Sequence, residues 1–333
     1  MGKCRCMITQ HLLSTCCVAK IIHYGDRRRQ CVQCKKTWRL YQHKKGRNST
    51  RLNSSLIKRV ILNGQKIKEQ KRNFSNLSVQ SIEKRFQKSL DYYSQQELQL
   101  PKRLNGKYTL LGDGIWYNFD GEDWVQYVLL LKPRRRNYAY LLEPIILKGK
   151  ESFDNWRTAI DNAASDLLKK HIFAFVSDNF RASDKIVWHY DWQHQLCHFH
   201  LIKELQKRRC KRKFNTPNRS IRESIYLIIR QLLKGKPGQE SKSFITILLR
   251  LAGHRDCPKK LGMIARQFLK DINKYKTYQL FPKYTIPHTN NVSESLANLV
   301  RKRTSKLNNP DSVIKWTKIY IRLKRTMNCN GNH

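Results

Sequence analysis

The period of the apolar positions changes along this chain, and the changes divide it into regions. Leu56, Ile57, Val60 and Ile61 recur at helical spacing, and Asn63-Gly64-Gln65 ends the run. Val79, Ile82, Phe86 and Leu90 form a second helical stripe over 79–93, with Ser78 placed to cap it. From Tyr108 the pattern becomes that of strands. Runs at 108–118, 124–132 and 138–147 are rich in aromatic and aliphatic residues, separated by Asp120-Gly121-Glu122 and by a polar turn at 133–137. They predict three consecutive antiparallel strands. A helix is expected over 153–170, where Trp156, Ile160, Ala163, Leu167 and Leu168 share one face. A short buried-type strand at 172–176 follows and ends in Ser177-Asp178-Asn179. Residues 195–275 read as mostly helical, with a break at Pro237-Gly238, and the last helices are expected at 292–306 and 311–326. The longest apolar runs fall far short of the roughly 18 residues needed to span a bilayer.

Charge adds a polyanionic partner. The chain has 333 residues, with 67 Lys and Arg against 24 Asp and Glu, a formal net charge of +43. Apolar residues make up 40% of it, so a packed core is expected in spite of the charge. Nucleic acid is the default partner of such an excess, and no basic amphipathic segment or lipidation signal favours a membrane surface. The charge is unevenly spread. Residues 1–107 carry 25 basic and 5 acidic side chains, residues 108–200 carry 11 and 12, and residues 201–333 carry 31 and 7. Two basic arms therefore flank a neutral block. A coat for nucleic acid has no need to gather half its carboxylates in one window, so metal ligands or acid–base groups are expected there. Lys84 and Arg85 lie in the crowded basic stretch of the second helix, which fits a helix-turn-helix contacting DNA; a basic two-helix linker is the plainer alternative.

Six of the ten cysteines fall in the first 34 residues. Residues 1–20 are interrupted by Lys3, Arg5, Gln10 and His11, so no signal peptide is expected, and clustered cysteines then read as metal ligands rather than disulfides. Cys31-Val-Gln-Cys34 is a knuckle of the zinc-ribbon type. Its partner knuckle is irregular, because Cys16 and Cys17 are adjacent, with His11, Cys4 and Cys6 nearby to complete the set. Either a zinc site or a metal-free ribbon fits.

Three carboxylates stand out by context. Asp113 lies within the first strand in Gly112-Asp113-Gly114, Asp178 closes a later strand, and Glu294 follows Asn290 and Asn291 at the start of a helix. Mg²⁺ takes hard oxygen ligands, and phosphodiester cleavage commonly uses two such ions. Plainer readings exist for each: a turn residue, a cap, a complement to a helix dipole. Asp120, Asp123, Asp184 and Asp191 are rival ligands. Cys197 and His200, spaced C-x2-H, could share a helical face and bind a metal. The preferred reading is a packed Cys and a hydrogen-bonded His beside the site, because no second Cys/His pair lies near.

Together these segments resemble the DDE transposases of bacterial insertion sequences, in the mutator-like class with an RNase H-like catalytic core. The matching pieces are Gly112-Asp113-Gly114, Ser177-Asp178, Gln195-x-Cys197-x-x-His200, and Thr289-Asn290-Asn291-x-x-Glu294 leading to Arg301 and Arg303. The interval of about 115 residues between Asp178 and Glu294 is similar to that class, where a helical insertion interrupts the core. The resemblance implies an α/β fold: a mixed sheet of three antiparallel strands, then helix and strand. Its domains would be a zinc-ribbon-like 1–45, helix-turn-helix-like 50–100, catalytic 108–200, inserted helical 201–283, and catalytic plus C-terminal 284–333. It implies that Asp113 bridges two Mg²⁺ or Mn²⁺ ions, each completed by Asp178 or Glu294. The nucleophiles would be a water and then a DNA 3′-hydroxyl, with no covalent protein–DNA intermediate. Cys197, His200, Asn290, Asn291, Arg301, Arg303, Lys84 and Arg85 would support the site or the DNA. The expected partners are the element's terminal inverted repeats and target DNA, bound by a homo-oligomer in the cytoplasm, on the nucleoid. A non-catalytic DNA- or RNA-binding protein and an RNase H-like nuclease are the alternatives.

Overall fold

The computed structural model describes residues 21–23, 28–39, 54–98, 100, 106–209 and 217–329. It divides into two compact units, 1–53 and 54–333.

In the first unit, strands β1 (Ile21–His23), β2 (Arg28–Cys31) and β3 (Thr37–Arg39) pair antiparallel in that order. The link from β2 to β3 is the Cys31–Cys34 knuckle. Lys35 adopts a left-handed φ of 59° there, and its N–H donates to the Cys31 carbonyl at 3.0 Å. Cys31 is buried and Cys34 exposed. Cys16 and Cys17 lie outside the described residues.

The second unit opens with α1 (Ser54–Ile57), which runs on as a π-helical turn, Lys58–Leu62. A 3₁₀ segment, Ile67–Asn73, precedes α2 (Val79–Gln95). Ser78 caps α2 as expected, its Oγ accepting from the Ser81 N–H at 3.1 Å. The sheet then begins. β4 (Tyr108–Phe119) and β5 (Glu122–Pro133) form a long hairpin, turned at Asp120 and Gly121, both with positive φ, the geometry of a two-residue hairpin loop. The third run expected from the sequence is two strands, β6 (Tyr138–Leu141) and β7 (Ile145–Lys148). Both pair with β5, at different levels, because Pro144 cannot donate to a ladder. The single helix expected over 153–170 is also two, α3 (Phe153–Ala163) and α4 (Asp166–His171), because Ser165 caps a new start by accepting from the Leu168 N–H. After β8 (Ile172–Ser177) come α5 (Ser183–Tyr190) and β9 (Gln193–Leu196).

A mixed sheet results, ordered β10-β6-β5-β4-β8-β9, with β7 also on β5. β4, β5 and β6 are antiparallel neighbours, whereas β8 runs parallel to β4 and β9 parallel to β8. The edge strand β10 (Thr326–Asn328) arrives from the C-terminus. Between β9 and the last core helix lies a helical insertion: α6 (His198–Arg209), α7 (Arg219–Lys234), α8 (Lys242–Gly253), α9 (Lys259–Lys270), α10 (Ile272–Tyr275) and α11 (Thr277–Leu280). The chain returns to the sheet as α12 (Asn291–Thr304) and α13 (Pro310–Lys324).

Alternation along the central strands fills two separate layers. Leu111 and Ile115 of β4, with Val128 and Leu130 of β5, face a cluster built from α1, α2, α12 and α13. Leu110 of β4, with Val125, Tyr127 and Leu129 of β5, faces α3, α4 and α5. The insertion has its own core, centred on Ile225, Ile229, Leu248 and Phe268. The helices at 54–95 share the first of these cores with the sheet, so their apolar faces are spent on the sheet rather than on a core of their own. Among the described residues, no helix is long and apolar enough to cross a membrane.

Candidate active site

The three carboxylates singled out by context converge at one end of the sheet. β4 and β8 lie side by side and parallel, with Leu111 opposite Val176. Two residues further along each strand stand Asp113 and Asp178, so the register brings them level on adjacent chains. Glu294 enters from the first turn of α12, which packs on the same face of the sheet. Burial raises the proton affinity of Asp113 most, and the charges of Asp178 and Glu294 raise it further. The Gly114 N–H and Arg301 pull the other way, and the carboxyl ends at about 7. Asp178 is also raised, by burial first and then by Glu294, against the opposing pull of His200. These acids are close enough to feel one another and dry enough for it to matter.

Asn290 fixes the helix that delivers Glu294. It is 1% exposed, its Nδ2 donates to the Gly112 carbonyl at 2.7 Å, and its backbone N–H donates to Cys197 Sγ at 3.1 Å. One residue thus ties the start of α12 both to the strand carrying Asp113 and to the β9–α6 junction. Cys197 is buried, and burial pushes its thiol up to about 11. His200, two residues into α6, has Nε2 3.7 Å from Glu294 Oε2, beyond hydrogen-bond reach. Lys203, one turn on, donates to Glu294 Oε1 at 2.6 Å.

A fourth carboxylate, which the sequence reading passed over, completes the cluster. Glu151 precedes α3 on the other side of the sheet. Burial, then Asp178, then Asp113 hold its carboxyl up at about 7. Its entry depends on Gly114, because a Cβ there would collide with Glu151 Oε1. Gly112 is required for a different reason: its Cβ would stand 2.9 Å from the Trp156 ring and 3.0 Å from Phe175. The two glycines flanking Asp113 therefore serve separate neighbours. Gly114 was the one signal of Glu151 in the sequence, and it does not say which residue fills the space.

The rival acids lie elsewhere. Asp184 pairs with His194 at 3.0 Å and Lys274 at 2.7 Å. Asp191 ends α5 in a left-handed conformation, Asp120 is in the hairpin turn, and Asp123 accepts from Asn118. Of the basic residues, Arg301 lies near enough to Asp113 to lower its pKa, and one of its Nη atoms donates to Asn298. Arg303 is used within the fold, with its guanidinium over Gly64 and a bond to the Leu62 carbonyl at 3.3 Å. Lys84 is exposed on α2, and Arg85 is half-buried.

Among the described residues, no three His, Cys, Asp or Glu side chains form a ready-made ion cage. The donor set nevertheless suits a hard divalent cation. Asp113 and Asp178 act on Glu294 from one face of the sheet and on Glu151 from the other, and Glu294 Oε2 is buried with no hydrogen-bond partner. Asp113, Asp178, Glu294 and Glu151 are the groups that would hold it. No protein-family model matches the chain, and no curated protein matches it.

Proposed function

We propose that this protein is a transposase of the DDE type, resembling the mutator-like class, which cleaves the ends of its element and joins them to target DNA. The observation that carries the reading is the coupled cluster of Asp113, Asp178 and Glu294 at one end of a sheet whose core order is β6-β5-β4-β8-β9. That order, third-second-first-fourth-fifth along the chain, is the one expected of an RNase H-like core. The insertion between β9 and α12 supports the same reading, as does the basic excess of 201–333.

Bound Mg²⁺ or Mn²⁺ would supply Lewis-acid stabilisation of the phosphate and a more acidic attacking hydroxyl. The rest of the chemistry falls to the chain's own groups. Asn290 holds the α12 start against β4, so Glu294 and Asp113 keep a fixed relation. Lys203 neutralises one oxygen of Glu294 and lies within reach of a scissile phosphate brought to that carboxylate. Arg301, exposed on α12 and near enough to lower the pKa of Asp113, suits a backbone phosphate. Lys84 and Arg85 on α2 would contact flanking duplex. A homo-oligomer assembled on the element's inverted repeats, acting in the cytoplasm on the nucleoid, completes the proposal. Zinc at Cys16, Cys17, Cys31 and Cys34 would stabilise the N-terminal ribbon.

One observation favours a second reading. Glu151 makes the cluster four-acid, which suits a hydrolytic RNase H-like nuclease as well. The products separate the two. Wild-type protein, Mg²⁺ and DNA carrying the element's ends should yield joined strand-transfer products. Cleaved ends that never join would assign a nuclease instead, and bound but uncut DNA would remove both.

A further inference from the structure

On the far side of α6 from Glu294 lies a cavity of about 950 Å³. α6 divides the two places by face: His200 and Lys203 point to the carboxylates, whereas His198, Phe199, Ile202 and Gln206 line the cavity. The opposite wall is α7, and the floor is Leu111 of β4, two residues before Asp113. Asn291 and Val292 close it beside the α12 start, two or three residues before Glu294. The volume lies within the range of small-molecule sites.

The chemistry of the lining is one-sided. Lys132, Arg230 and Lys234 stand on it, and no carboxylate does. None of the ion pairs among the described residues uses any of these three cations. Elsewhere the insertion pairs its half-buried and buried cations with acids, Arg209 with Glu223 and Lys276 with Glu240. Arg230 and Lys234 are exposed at the mouth, and Lys132 is set deeper. Behind them the wall is apolar and aromatic, with amides from Asn137, Gln206 and Asn291 between. Asn291 Oδ1 is buried without a hydrogen-bond partner. Cations at the mouth, flat apolar surface inside and an unsatisfied amide acceptor match one ligand class: a phosphate joined to a planar, hydrogen-bonding ring.

We propose that this cavity receives a single unpaired nucleotide, its phosphate among Lys132, Arg230 and Lys234 and its base against Phe199 and Ile202. The nucleotide belongs to the DNA whose backbone is brought to the carboxylates, so the proposal rests on the DNA-processing reading above. It adds to that reading a place for a base taken out of the duplex.

The experiment measures binding alone, in EDTA, with full-length protein. Fluorescence anisotropy compares a blunt duplex, the same duplex with a three-nucleotide overhang, and competition by free dAMP. Wild type should prefer the overhang by about tenfold, the order expected of one stacked base. Gln206→Trp narrows the cavity at the α6 wall from an exposed position, and Arg230→Gln with Lys234→Gln strips its mouth; melting temperatures confirm folding. Both variants should lose the preference, and Gln206→Trp should bind blunt duplex as wild type does. Competition by dAMP that Gln206→Trp abolishes, with no overhang preference, supports the nucleotide chemistry but assigns a free nucleotide as its source. Equal binding of both DNAs with no dAMP competition overturns the proposal, as does an overhang preference that survives both variants. Because no cleavage is measured, an inactive enzyme with an intact overhang preference would sink the transposase reading and leave this one standing.

Discussion

Replacing Asp113 by Asn should stabilise the metal-free protein, and by an amount that grows with pH. An aspartate in an unfolded chain titrates near 3.9, whereas Asp113 in the fold is held at about 7, by burial first and then by Asp178 and Glu294. Between those values the folded state holds a proton that the unfolded state has released. Stability therefore falls as pH rises from about 4 to about 7, and the loss is complete above 7. A difference of about three pH units corresponds to roughly 4 kcal/mol. The acids share their repulsion, so a single substitution should recover about 2 kcal/mol. For a unit of this size that is on the order of 4–8 °C in melting temperature. Asn keeps the volume and can still accept from the Gly114 N–H. The assay is thermal unfolding of both proteins in EDTA from pH 4 to pH 8. The chain's large positive excess acts on both alike and drops out of the difference. The gap should be small at pH 4, widen through pH 7 and level off towards pH 8. Millimolar Mg²⁺ at pH 8 should raise wild type and leave Asp113→Asn nearly unmoved. A gap that is flat with pH, or a variant less stable at pH 8, would refute the coupled-carboxylate geometry.

Further outcomes follow from the same geometry. Gly114→Ala should fold, since the displaced group is the end of a flexible side chain, yet lose cleavage to the same degree as Glu151→Gln; full activity in either would remove Glu151 from the site. Asn290→Ala orphans the buried Gly112 carbonyl and should cost about 1–3 kcal/mol in urea unfolding; an unchanged midpoint would show that Asn290 does not anchor α12. Glu294→Gln should abolish cleavage and keep DNA binding, measured by gel shift beside circular dichroism. DNA affinity should fall steeply with salt, on the order of 10³-fold between 50 and 200 mM if six or more phosphates are contacted; a shallow slope would argue against a backbone-tracking basic surface.

What could be read in the sequence follows the physics of each signal. β4 and β5 were legible because long runs rich in aromatic and branched residues between polar turns have few competing explanations, and the Asp120-Gly121 turn marks where they reverse. The splits at Pro144 and Ser165 were missed because the apolar pattern continues across them, and only backbone donors and caps reveal the break. Asp113, Asp178 and Glu294 were legible from their motifs, but their convergence depends on a parallel register 65 residues apart and on a helix returning after the insertion. Glu151 was not legible: in Gly149-Lys150-Glu151-Ser152 it looks like a surface turn. Asn290 read as part of a site motif, and in the fold it pins α12 through a carbonyl and a thiol. Arg303, read as a basic residue of a basic helix, also bonds the Leu62 carbonyl, a contact that no local pattern announces.

The central proposal is that Asp113 within β4, Asp178 just past β8 and Glu294 cut DNA with a divalent metal. The most direct measurement is Mg²⁺-dependent cleavage of labelled DNA bearing the element's ends, run on a denaturing gel for wild type, Asp113→Asn and Asp178→Asn. Wild type should nick at the element boundary only when Mg²⁺ is present, and both variants should bind the same DNA and leave it intact. Cleavage by either variant at the wild-type rate, or wild-type cleavage undiminished in EDTA, would contradict the claim.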